Sequence, residues 1–372
     1  MARFRVDNQQ SQHIANRTQQ TKTECAKREV VMPERTERDR EPRRFNRNFA
    51  ERAGLDLNLA KTLLLSKFGV TSKTAAVIKP SAERIEKIAE KYAPILVLPK
   101  GQYNLPADSQ KFIENSRLRE DVPAKLFPFP RPGKDKQIGD NTNGDKSDDF
   151  NANRVGNSKN ERQFLDLNND MRGRLGSKDA PIFYEFKEGK NGKPPTLTYH
   201  VFYPYNDAPK SGPIRVAPGI NPRVDLNHEG DWERVTYELD SKTLKPKDVL
   251  LSAHNGGTRV SYKDLQKDSE TGRRFVYAAG GSHANYAKPG TYALTFGAKD
   301  QTITDRNRDG KINSKDGAVF FDTGRNLKKV TSQPWYPKNN TKGLHWGEIG
   351  ETKHSSGPQG PSRHKGAVEV KE

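Results

Sequence analysis

The chain has 372 residues, of which 31% are hydrophobic and 30% charged, and its formal net charge is +18. One cysteine, Cys25, excludes an intramolecular disulfide, and no apolar run approaches the roughly 18 residues of a membrane-spanning helix. A mean hydropathy of -0.99 excludes a single compact core through the whole chain, and the basic excess favours nucleic acid, anionic lipid or another anionic surface as partner.

Residues 1–45 are rich in Gln, Arg, Glu and Thr, lack apolar periodicity, and are expected to form a disordered basic arm. They contain no apolar h-region of a Sec signal. The expectation is a protein made in the cytoplasm that would leave only by a non-Sec route. Residues 46–118 are expected to form a small helical module. Leu55, Leu59, Leu63 and Phe68 recur about every four residues, and Gly69 is a stop. A second helix is expected after Pro80 with Ser81 as N-cap, carrying Ile85, Ile88, Ala89 and Tyr92 on one face. Pro94 and the run Leu96-Val97-Leu98-Pro99 break it. Residues 1–118 would then serve a delivery or docking partner, or pack on the main domain. The Pro-, Gly-, Asn- and Asp-rich stretch 119–160 reads as a linker.

From 161 to 372 the pattern changes to short β-type runs: 181–186, 196–203, 232–239, 248–254, 274–279, 292–296 and 318–322. Strands at this spacing, bounded by Gly, Pro and Asn turns, indicate a sandwich or barrel. The fold class expected is mainly β: an antiparallel β-sandwich preceded by the basic arm and the helical module.

The densest chemistry lies in Asn227-His228-Glu229-Gly230-Asp231-Trp232-Glu233. In an extended segment Asp231 and Glu233 share one face and Trp232 takes the other. With His228 swung onto that side, the three make a first shell for a divalent metal. The alternative is a solvated strand edge with Trp232 in the core. His254 and His283, in SAHNGG and GSHANY, each stand near glycine, where the backbone can bend and expose the ring. They are the candidate catalytic bases or headgroup donors; the alternative is a buried histidine bonded to a loop carbonyl.

Residues 305–316 match an EF-hand-type calcium loop at positions 1, 3, 5, 6 and 12. Asp305, Asn307 and Asp309 supply oxygens, Lys311 its carbonyl, and Asp316 closes the loop where Glu is usual. The loop resembles those of dockerins, and Ca2+ is the expected ion. Trp335, Tyr336 and Trp346 either dip into a membrane interface or cap the core. No GxSxG, Walker loop, HExxH or CxxC occurs, which argues against the commonest hydrolase and nucleotide-binding classes.

The order LTYHVFYPYND, NHEGDWERVTYEL, LLSAHNGG, VYAAGGSHANY and GPQGP resembles the vacuolar protein sorting-associated Vps62 family, which carries an H-x-G-D-W-E core, an S-H-A-x-Y segment and a terminal G-P-x-G-P. The resemblance spans about residues 160–365. The first half also resembles the necrosis- and ethylene-inducing (NLP) cytolysins, whose heptad is G-H-R-H-D-W-E. That likeness implies an antiparallel β-sandwich and a divalent cation held by Asp207, His228, Asp231 and Glu233. Gly230 departs from the toxin heptad at its second His, a departure shared with Vps62 proteins. The ligand set is oxygen-rich, so Ca2+, Mg2+ or Mn2+ is implied. The function expected is a metal-binding, cytolysin-like effector of bacterial or phage origin, acting on a membrane lipid or glycolipid headgroup. Two alternatives stay open: a metal-dependent hydrolase or nuclease toxin, for which nucleic acid would be the partner, and a trafficking or packaging protein with a structural sandwich.

Overall fold

The computed structural model describes residues 79–122, 134–207, 227–254, 256–294, 298–338, 341, 343–348 and 357–363. The basic arm, the leucine-periodic stretch at 55–68 and the Pro-rich run at 123–133 lie outside the described residues. In chain order the elements are α1 (Ala82–Tyr92), β1 (Ile95–Pro99), α2 (Ser109–Glu114), β2 (Ser116–Val122), β3 (Lys134–Asp140), α3 (Ala152–Gly156), β4 (Gln163–Leu167), β5 (Ile182–Lys187), β6 (Thr196–Asn206), β7 (His228–Leu239), β8 (Pro246–Ala253), β9 (Gly256–Ser261), β10 (Phe275–Ala278), β11 (Asn285–Tyr286), β12 (Thr291–Ala293), β13 (Lys299–Gln301), β14 (Ala318–Asp322) and β15 (Leu327–Lys329).

The protein is mainly β. A six-stranded sheet runs β15-β5-β6-β7-β8-β9, a four-stranded sheet β11-β10-β1-β14, and a three-stranded sheet β3-β2-β4. Leu197, Tyr199, Val201 and Tyr203 of β6, with Val235 and Tyr237 of β7, meet Leu96, Leu98, Val276 and Phe321 of the four-stranded sheet in one buried cluster. This is the sandwich. Even positions of β6 from Thr198 to Asn206, and Trp232 of β7, are buried too. Phe202 and Trp232 face Phe112, Leu118, Leu165 and Leu167, which come from α2 and the three-stranded sheet. The six-stranded sheet is therefore a middle layer, which is why β6 is buried at nearly every position instead of at alternate ones.

The strands expected in 181–322 appear as β5, β6, β7, β8, β10, β12 and β14, within a few residues of the predicted bounds, although 295–297 lie outside the described residues. The helix expected after Pro80 is α1, and the Ser81 side chain accepts the Arg84 N–H at 3.2 Å.

Residues 95–122 differ from the helical module expected there. Leu96-Val97-Leu98 is no simple helix break but the inner strand β1, parallel to β10 and antiparallel to β14. Its partners lie about 180 and 225 positions along the chain, beyond the reach of local periodicity. The described part of the 119–160 linker is also ordered. β2 and β3 pair across it, and the Asn141 side chain ties Ile113 O, Phe150 O and Phe150 N together at 2.8, 3.0 and 2.9 Å. The Asn- and Asp-rich composition is that of side-chain-bonded turns. The expected start of the main domain at 161 is accordingly not a structural boundary: β1 to β3 belong to the same body as β5 to β14.

Candidate functional site

The expected face-sharing on β7 is present. Asp231 stands opposite Tyr203 and Glu233 opposite Val201, while Trp232 pairs with Phe202 on the other face. Both carboxylates point between the two sheets and are buried, at 6% and 5% exposure. The Asp231 Oδ2 accepts Asn206 Nδ2 at 3.2 Å and meets His283 Nδ1 at 2.9 Å. The other ring nitrogen of His283 meets the Tyr103 carbonyl at 2.9 Å, and the ring stacks on Tyr203 at 3.8 Å. His283 is fully buried. Both of its nitrogens are engaged, so it orients Asp231 and has no ring nitrogen open to a ligand.

Glu233 accepts the Ser252 hydroxyl, and Ser252 in turn neighbours Asn285. Burial, and then the Asp231 charge, push the Glu233 carboxyl well above the usual carboxylate range. Burial also pushes on Asp231, but the His283 hydrogen bond and the His228 and His283 rings outweigh it and hold Asp231 below that range. The two neighbouring carboxyls are thus pushed in opposite directions, Asp231 towards the charged form and Glu233 towards the neutral one. Three enclosed polar atoms in this pocket lack a hydrogen-bond partner: Tyr203 Oη, Asn206 Oδ1 and Asn285 Oδ1. All three are oxygens, the donor type that hard divalent cations take.

His228 begins β7 half-buried, with Nε2 3.9 Å from Asp231 Oδ1. Asp207 follows β6 on the exposed rim, its N–H donating to Gly281 O at 3.0 Å. Of the four positions, His228 comes within 3.9 Å of Asp231, and Glu233 follows Asp231 on the same face of β7. Among the described residues, the Asp, Glu, His and Cys trio whose ligand atoms lie within 4.8 Å of one another is a different one: Asp166, Glu229 and Glu348.

His254 follows β8 in the left-handed region, with φ 54°. Its Nε2 meets Asp300 Oδ2 at 2.8 Å. Asp300 is fully buried and also accepts Ser282 Oγ and Tyr286 Oη, each at 2.6 Å. The hydrogen bond to Asp300 raises His254 above the usual imidazole value, against the opposing effect of burial. An Asp300→Asn chain is therefore expected to show His254 titrating at lower pH, by NMR, with the fold unchanged. An unmoved titration would mean that Asp300 does not hold the ring. The sign also fixes a modest stability effect. It is fully present below the unfolded value near 6.5 and lost as pH rises through the folded value. Because the His254 side chain is 35% exposed, solvent screening keeps it small. Asp300 was not singled out by its sequence context, KDQ, which carries no motif.

In the 305–316 loop, Asp305 Oδ2 accepts the Gly310 N–H and Asp309 Oδ1 the Lys311 N–H, both at 2.8 Å. Asn307 Oδ1 accepts the Asp309 N–H at 3.2 Å. Asp316 is 1% exposed and accepts the N–H groups of Arg306, Asn307 and Asn313.

Comparison with known proteins adds the family. The model of vacuolar protein sorting-associated protein 62 matches residues 67–336. The chain belongs to the Vps62 family. It is 30% identical over 138 residues to TDA6 of Saccharomyces cerevisiae, a protein described as vacuolar protein sorting-associated; the match covers 29% of this chain and 27% of TDA6. The chain thus spans about a quarter of that curated relative. Among solved structures it is similar to Necrosis and Ethylene inducing Protein 2 from the causal agent of cocoa's Witches Broom disease, at 16% identity and TM-score 0.26, covering 56% of this chain and 69% of that one. It is also similar to NLPPya in complex with mannosamine, at 13% identity and TM-score 0.28, covering 68% and 78%. No helix among the described residues is long and apolar enough to cross a membrane.

In this Vps62 chain Gly230 has a physical role. Its φ is 64°, and a β-carbon there would run into the Trp346 carbonyl oxygen. The left-handed residue breaks the alternation, so Glu229 leaves the Asp231 face. It meets Leu167 N at 2.9 Å and Arg172 at 3.1 Å, beside Asp166 and Glu348. The sequence reading missed this buried cluster, because strict alternation keeps Glu229 with Asp231. Trp335 and Trp346 are 2% and 3% exposed and pack against Trp232 at 5.3 and 5.2 Å. They cap the core and are not membrane-facing. The GPQGP segment straps over them, with Trp346 N donating to Pro358 O at 2.8 Å.

Proposed function

We propose that the pocket holds a divalent cation through His228, Asp231 and Glu233, with Asp207 at the rim, and uses it to bind the polar headgroup of a membrane lipid or glycolipid. One observation carries the reading: two buried carboxylates stand at successive inward positions of one strand, next to three enclosed oxygens without partners. Burying a second ionised carboxylate costs several kcal/mol unless a cation offsets it. An ion here would draw the four ligands together and turn a strained pair into a neutralised centre. Oxygen donors with one imidazole suit Ca2+, Mg2+ or Mn2+. His228 and His254 are both partly exposed and would be open to a ligand. The net charge of +18 would add attraction to anionic membranes. In its finer form the reading is an effector that permeabilises the membrane it binds.

A metal-dependent hydrolase is the second reading, favoured by the His254–Asp300 pair, which has the form of a base held by its orienting carboxylate. In a trafficking or packaging role the pocket would be idle.

The test is flotation with liposomes of mixed headgroups, in calcium and in EDTA, for the wild type and Asp231→Asn. We expect calcium-dependent binding, weakened at least about tenfold by EDTA or the variant, with folding checked by thermal melting. Dye release in the same vesicles separates permeabilisation from binding alone. Failure to bind any headgroup sinks the lipid reading. Cleavage of nucleic acid with Mg2+ or Mn2+ would put the hydrolase in its place.

A further inference from the structure

We infer that residues 305–316 form a calcium site that clamps the β13–β14 connection and thereby steadies Asp300. This site is separate from the pocket and does not depend on its reading. The pattern of oxygen donors is specific: Asp305, Asn307, Asp309, the Lys311 carbonyl and Asp316 stand at positions 1, 3, 5, 7 and 12 of a twelve-residue loop. Gly310, at position 6, has φ 79° with open space around it, as the sharp turn requires. Asp305 points to an ion independently of the pattern. One of its oxygens accepts the Gly310 N–H, while Oδ1 is enclosed and has no hydrogen-bond partner. An enclosed carboxylate oxygen without a donor is costly unless a cation supplies the missing partner.

The loop is fastened to the sandwich. Asp316, at position 12, is buried and already ordered by three backbone N–H groups, so little of it remains to be arranged on binding. Ile312, at position 8, packs on the apolar cluster of Val97, Tyr277 and Ala318 at the outer face of the four-stranded sheet. Nitrogen and sulfur ligands are absent from the five positions, which selects calcium over zinc. The shorter Asp at position 12 reaches less far than Glu, placing Kd on the order of 10⁻⁴–10⁻³ M. The loop joins β13, which carries Asp300, to β14, an edge strand of the sandwich. An ion that fixes the loop fixes the strand that supplies Asp300 to His254, Ser282 and Tyr286.

The experiment is calorimetric titration of the full chain with CaCl2, paired with thermal melting. The chains compared are wild type, Asp305→Ala, Asp309→Ala and the pocket variant Asp231→Asn. We expect binding heat from the wild type and a melting point raised about 3 °C or more at about tenfold excess over Kd. The weak heat assigned to the loop, and its share of the melting shift, should fall at least about tenfold in the loop variants and persist in Asp231→Asn, whereas any separate heat that Asp231→Asn removes belongs to the pocket. If Asp305→Ala fails to fold, Asp309→Ala reads the site, because its side chain is exposed. No heat or melting shift in the wild type up to about 10 mM calcium overturns the inference, as does full calcium response in a folded Asp309→Ala. Loss of the signal only in Asp231→Asn would overturn it too, by assigning the calcium to the pocket.

Discussion

A Gly230→Ala chain is expected to melt about 6 °C or more below the wild type. Two costs coincide there. The φ of 64° disfavours any L side chain, and the added β-carbon meets the Trp346 carbonyl oxygen, which is backbone and cannot swing away. Strain and displacement together cost roughly 3 kcal/mol or more, which converts to that shift for a chain of this size. Gly230→His, which would supply the second His of the toxin heptad, should be worse still. The strap that carries Trp346 thus leaves no room for a side chain at 230, before any question of ligand arises. Scanning calorimetry decides it. Equal melting points would show that the 343–348 segment does not lie against β7.

Trp346→Ala should lower stability by about 3–5 kcal/mol, the range for deleting a large buried aromatic. Its ring meets Phe112, Phe202, Trp232 and Trp335 at 5.2 to 6.1 Å between centroids. It joins α2, the six-stranded sheet and the C-terminal strap. Because the ring is 3% exposed, the fraction that remains folded should keep the lipid binding proposed for the wild type. The decisive comparison is denaturant unfolding against liposome flotation at a temperature where the variant is still folded. Normal stability with lost lipid binding would make Trp346 a membrane contact after all.

Much of the site could be read in the amino-acid order because its parts are local. Asp231, Trp232 and Glu233 lie on one strand, where a period of two assigns faces without knowledge of any partner. Ser81 as an N-cap and the spacing of oxygens from Asp305 to Asp316 are local in the same sense. His283 and His254 were found by motif, but their roles were not. One faces a carbonyl and Asp231, the other Asp300, and those partners lie 180, 52 and 46 positions away.

By itself, then, the sequence determined the strand periodicity of the second half, the face shared by Asp231 and Glu233, the cap at Ser81 and the family. The first three rest on interactions within a dozen residues, and the family on the order of short motifs along the chain. Tertiary structure alone decided that Leu96-Val97-Leu98 is an inner strand, since an apolar run of that length fits a helix or a strand until β10 and β14 flank it. It alone decided that Glu229 joins Asp166 and Glu348 rather than Asp231, because a single left-handed residue at Gly230 reverses the alternation. It alone made Asp300 part of the pocket. The physical reason is common to all three. Burial and hydrogen-bond partners across the sheets are set by which distant segments meet, and no local propensity encodes that meeting.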